Sequence, residues 1–62
     1  MEHLREDFFK TYANIPINLR DDIILVLKDQ RPITWDVAYF EVKNKTNLSE
    51  EILQSLNALD LI

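Results

Sequence analysis

The side chains that could carry chemistry are few in this chain, and their spacing says how little they can do. His3, Glu6 and Asp7 stand at i, i+3 and i+4, so on a helix they would share one face and could touch a metal ion. With no second histidine and no cysteine, that face offers one nitrogen and two carboxylates near a chain end, too open a set to hold a metal firmly. Asp21-Asp22 and Glu50-Glu51 are acid pairs, but neighbours in a helix diverge. Acids in a first helical turn are already explained by the helix dipole. Ser49 and Ser55 have no histidine nearby to act as base, so nucleophilic catalysis is not supported. The chain contains no glycine, which removes the phosphate-cradling loop, the dinucleotide fingerprint and the nucleophile elbow together. The expectation is a protein that is not an enzyme and needs no cofactor or metal.

The 62 residues make at most one domain. A chain this short buries only about 60% of the surface it exposes when unfolded, and such domains lean on disulfides, metals, close helix packing or a partner chain. The absence of cysteine rules out the first of these. Hydrophobic content of 47% with 29% charged residues is that of a folded chain. The net charge of −4 repels nucleic acid and anionic membrane and suits a basic protein partner. The N-terminal residues are acidic and lack an apolar core, so a secretory signal is not expected and a cytoplasmic location is. The longest apolar run, Ile23 to Leu27, is far too short to cross a bilayer. The sequons at Asn44 and Asn47 are therefore read as chance.

Elements follow from periodicity and punctuation. Leu4, Phe8 and Tyr12 with Phe9 predict an aromatic helix over 3–13, stopped by Pro16. Asn18 offers an N-cap, with Asp21 and Asp22 in the first turn, for a second helix from Leu19 to Asp29. The β-branched run Ile23 to Leu27 is equally compatible with a buried strand, and the cap and acidic start favour helix. Pro32 makes the next break. Thr34 then caps a third helix carrying Trp35, Ala38, Tyr39 and Val42 on one stripe, with a short extended piece at Ile33-Thr34 before it. The composition of Ile33 to Tyr39 also suits a strand. Asn47, with Glu50 at N3, and Ser49, with Leu48 and Leu53 as a staple, compete to cap the last helix. Ile52, Leu53, Leu56 and Leu59 form its buried stripe. Without glycine, a helix C-cap must come from Asn or from no left-handed residue.

From about Asp21 to Ile62 the chain resembles the tri-helical core of the helix-turn-helix and winged-helix superfamily. Asp22 to Leu27 matches its first core helix, Pro32 to Ala38 the start of the second, and Leu48 to Ile62 the recognition helix and its exit. The resemblance implies an all-α fold: a small three- to four-helix bundle with a helix-turn-helix-like core over 18–62 and an N-terminal aromatic helix over 1–14. Two departures stand out. The given residues end where the β-hairpin wing would begin, so no wing is expected. The would-be recognition helix has three acids, Glu50, Glu51 and Asp60, and no base from Thr46 onward. DNA affinity rests largely on neutralised phosphates, so this helix is a poor reader.

The favoured expectation is a small acidic protein-interaction module, with another protein or a second copy as partner, through Phe8, Phe9, Tyr12, Tyr39 and Phe40. These aromatics are a heavy load for so small a chain. Trp35 is expected as a core anchor. The alternative is a DNA-binding transcription regulator, which would require Arg20, Arg31, Lys43 and Lys45 to gather on one face. No small-molecule ligand is evident.

Overall fold

The computed structural model describes residues 2–62. Its first helix, α1, spans Glu2–Ala13, with Phe8 buried beneath Leu4, Phe9 and Tyr12. Asn14 closes it by donating from its side chain to the Lys10 carbonyl at 3.1 Å. Pro16 then leads into one 3-10 turn, Ile17–Leu19. Arg20 ties this turn back to the helix: Nε donates to the Ile15 carbonyl at 3.1 Å and Nη2 to the Tyr12 carbonyl at 3.3 Å. A cation thus sits on the carbonyl end of α1, where the helix dipole is negative.

The chain next departs from the all-α expectation. Ile23–Val26 is a strand, β1, paired antiparallel with β2, Pro32–Thr34. The fold is mixed α/β, three helices with a two-stranded sheet, and the expected helix from Leu19 to Asp29 does not form. The match of Asp22 to Leu27 to a first core helix falls with it. The burial pattern gives the reason. Leu25 and Leu27 point into the core, whereas Ile23 and Val26 are 62% and 61% exposed. Leu25, Val26 and Leu27 alternate in and out as a strand does, and a register irregularity between Ile23 and Leu25 turns Ile23 outward; one apolar helical stripe would have buried Ile23, Val26 and Leu27 together.

The hairpin turn is built without glycine. Leu27 N–H donates to the Arg31 carbonyl at 2.9 Å and Gln30 N–H to the Leu27 carbonyl at 2.8 Å, with Gln30 in the left-handed region at φ 66°. Asp29 stabilises the turn through its side chain, accepting from Arg31 N–H at 3.2 Å and pairing with the Arg31 guanidinium at 3.1 Å. Pro32 lies opposite Val26, one residue from the bonded Leu27–Arg31 pair, so its missing N–H falls where the ladder makes no bond.

Helix α2, Trp35–Lys43, starts at the expected cap: Thr34 Oγ1 accepts from Val37 N–H at 3.1 Å. Asp36 N–H, another free donor of that first turn, bonds the Arg20 carbonyl at 3.0 Å. Helix α3, Ser49–Ala58, uses neither expected cap. Leu48 occupies the N-cap position without a side-chain bond, and Ser49 Oγ donates to the Thr46 carbonyl at 2.8 Å. Both helices end in the same way. At α2, Lys45 N–H bonds the Val42 carbonyl and Thr46 N–H the Glu41 carbonyl. At α3, Asp60 N–H bonds the Asn57 carbonyl and Leu61 N–H the Leu56 carbonyl. These are Schellman closures whose left-handed residues are Lys45 (φ 52°) and Asp60 (φ 59°). The expectation that a helix C-cap must come from Asn or from no left-handed residue is corrected: Lys45 and Asp60 take the role.

The three helices pack on one another around Phe8, Trp35, Ala38, Val42, Ile52, Leu53 and Leu56, and the hairpin adds Leu25, Leu27 and Ile33 to the same core. Leu59, expected on the buried stripe of the last helix, is exposed instead.

Candidate functional site

Between α1 and α2 the aromatic side chains form a half-exposed shelf. Phe8 lies underneath, fully buried, stacked on Tyr12 at 6.0 Å and against Trp35 at 6.0 Å between ring centroids. Above it, Tyr12 stacks on Tyr39 at 4.5 Å, and Phe9 meets Tyr39 edge-on at 5.8 Å. Each such pair contributes roughly 0.5–1.5 kcal/mol beyond its buried area. The shelf floors an open depression of about 570 Å³ lined by Phe9, Tyr12, Ala13, Arg20, Tyr39 and Lys43.

A cation stands over each shelf ring. The Arg20 guanidinium lies 4.4 Å from the Tyr12 centroid, Arg5 lies 5.4 Å from Phe9, and the Lys43 ammonium lies 5.7 Å from Tyr39. Arg5 is oriented by a hydrogen bond to the Val42 carbonyl. Tyr12 is fixed by donating its hydroxyl to Asp36 Oδ1 at 2.7 Å. That bond to a carboxylate raises the Tyr12 pKa above its ordinary 10.0; burial and the negative charge of Asp36 push the same way, and Arg20 opposes them.

The structure sorts the expected interaction residues. Phe9, Tyr12 and Tyr39 come together at the shelf. Phe40 is 60% exposed and lies just beyond it, one helical turn before Lys43. Phe8 is corrected from contact residue to core residue, because α2 and Trp35 cover it completely. Trp35 is the core anchor expected of it.

The four cations named for DNA contact have different settings. Arg20 and Lys43 line the shelf, Arg31 is paired with Asp29 in the hairpin turn, and Lys45 borders a different depression beside Glu2 and Glu50. Ser49 is buried and bonded to backbone. Among the described residues no group of three His, Asp or Glu side chains is placed to hold a metal, and no helix is long and apolar enough to cross a membrane.

Sequence reasoning missed Arg20 and Asp36 as shelf residues. Arg20 was legible only as a cation and Asp36 only as a first-turn acid. The contacts that recruit them span 8 and 24 residues, so no local spacing announces them. A second apolar depression, of about 330 Å³, lies between the hairpin and α3, lined by Leu25, Val26, Ser55, Ala58 and Leu59.

No family model, no curated protein and no solved structure matches this chain.

Proposed function

We propose that the chain is a small acidic protein-interaction module that acts in the cytoplasm and docks a partner protein on the face shared by α1 and α2. The observation that carries this reading is the cation-fringed shelf of Phe9, Tyr12 and Tyr39. The surface continues past it. Lys43 follows Tyr39 by four residues and Phe40 by three, so it neighbours both on the helix surface, and Val37, also exposed, is one turn behind Phe40. Aromatic side chains held in fixed orientation beside cations are the usual anchors of protein interfaces, because little rotamer freedom remains to be lost on binding. The cytoplasmic assignment is supported by a chain without cysteine, which needs no oxidising compartment.

The test is affinity capture from native extract with the wild-type chain and a Phe40→Ser/Lys43→Glu variant, after nuclease treatment. Both replaced side chains are exposed, so the variant keeps its helical circular dichroism and melting temperature. The expected result is a protein retained by wild type and lost by the variant. Equal capture by both, or a bound species that disappears with nuclease, would overturn the reading.

A further inference from the structure

On a chain with eleven acids and seven bases, three of the bases stand over one aromatic cluster. Among the described residues none of the three is in an ion pair; the ion pair there is Asp29–Arg31, in the hairpin turn on another part of the surface. Arg20 spends two guanidinium N–H groups on backbone carbonyls and Arg5 spends one, which leaves further donors on each. Lys43 is exposed, and its ammonium has no hydrogen-bond partner among the described residues. The carboxylate bonded to the shelf, Asp36, is occupied by the Tyr12 hydroxyl. The depression therefore combines an apolar floor with two cations, Arg20 and Lys43, neither of them ion-paired among the described residues, and a single carboxylate, Asp36, bonded at its Tyr12 edge.

We infer that the shelf takes an acidic segment of a partner protein, one that lays an apolar side chain on Tyr12 and Tyr39 and directs a flanking carboxylate to Lys43 and Arg20. This rests on the protein-docking reading above and narrows it to a charge class. Charge complementarity favours this occupant over a second copy of the chain. Two copies, each of net charge −4, repel as wholes, whereas an acidic segment meets a surface where three bases outnumber the one carboxylate bonded to it. It also reverses the expectation from net charge alone, which pointed to a basic partner.

The test titrates the ¹⁵N-labelled full chain with a blocked peptide of alternating aspartate and leucine, and with two analogues in which asparagine or lysine replaces aspartate. The aspartate peptide is expected to shift the amide signals of Phe9, Tyr12, Tyr39 and Lys43, and to bind more weakly as salt rises from low to physiological. Against Lys43→Met, which keeps the stem and loses the charge, its affinity falls several-fold. Against Lys43→Glu the loss is about ten-fold, the size expected for losing one exposed attraction and gaining a repulsion. Equal binding of the asparagine peptide, binding indifferent to Lys43→Glu, or no shift at the shelf would overturn the inference. Shelf signals that move with protein concentration alone would overturn it in favour of a second copy. Capture of a partner that is lost by Phe40→Ser/Lys43→Glu would keep the docking reading standing even if the aspartate peptide failed, so the two ideas fail separately.

Discussion

Replacing Asp60 by glycine should stabilise this protein, and the size of the effect can be worked from the end of α3. Asp60 holds the left-handed position of the Schellman closure at φ 59°, and its N–H and that of Leu61 close the helix at 3.1 and 2.9 Å. For a residue with a Cβ, the left-handed region costs about 1–2 kcal/mol, with Asp near the lower end because its short side chain tolerates the geometry. Glycine escapes this cost but gives up about 0.5–1 kcal/mol of extra chain entropy on folding. The net backbone gain is on the order of 0.5 kcal/mol. Removing a carboxylate from the negative end of a helix dipole adds in the same direction.

Asp60→Ala separates the two effects, since it removes the charge and keeps the strained backbone. Glycine should exceed alanine by about 1 kcal/mol, which in a domain of this length is roughly 4–8 °C in melting temperature. Thermal unfolding followed by circular dichroism at 222 nm, at one pH and one salt concentration, reads the difference directly. Lys45→Gly repeats the backbone test at the end of α2. If Asp60→Gly melts no higher than Asp60→Ala, the left-handed closure is not strained and the argument fails.

Two further outcomes are expected. Because its raised pKa is a property of the folded state, Tyr12 stays protonated in the fold at pH values where it ionises in the unfolded chain. Its contribution to stability is therefore complete below pH 10 and is lost as pH rises through the folded value; Tyr12→Phe should flatten that alkaline decline in urea-unfolding midpoints, and an unchanged slope would remove Asp36 as the cause. Phe8→Ala should cost about 3–5 kcal/mol, a large part of the roughly 3–9 kcal/mol available to a chain of this length, whereas Phe40→Ala should stay within about 0.5 kcal/mol. Comparable losses at both positions in denaturant titrations would contradict the burial assigned to them.

Much of the local architecture was legible because it depends on short-range terms. Pro16 restricted the residue before it, so α1 ended at Ala13 as read; Pro32 punctuated no helix and instead opens β2. Thr34 supplied an oxygen three residues ahead of a free N–H, and its cap formed as read. Trp35, Ala38 and Val42 were spaced for one helical face and are buried on it. The charge of the last helix was also plain, since it needs no structure to count.

What the sequence left open was settled by contacts far apart along the chain. Ile23 to Leu27 fits either a helix or a strand locally. It became a strand because pairing with Pro32–Thr34 buries Leu25 and Leu27 against Phe8, Trp35 and α3 while satisfying the backbone, and no local propensity of a few tenths of a kcal/mol competes with that. Likewise the aromatic content announced a sticky surface but not its plan. Packing Trp35 onto Phe8 withdrew Phe8 from the surface and brought Tyr39 over Tyr12. The 24-residue reach from Tyr12 to Asp36 and the turn at Arg20 then set the cations around the rings. Residue types and short spacings thus determined the end of α1, the start of α2 and the charge each segment carries. Which faces meet, and so which aromatic side chains remain for a partner, was decided only by tertiary packing, because burial is a property of the closed core and not of any one segment.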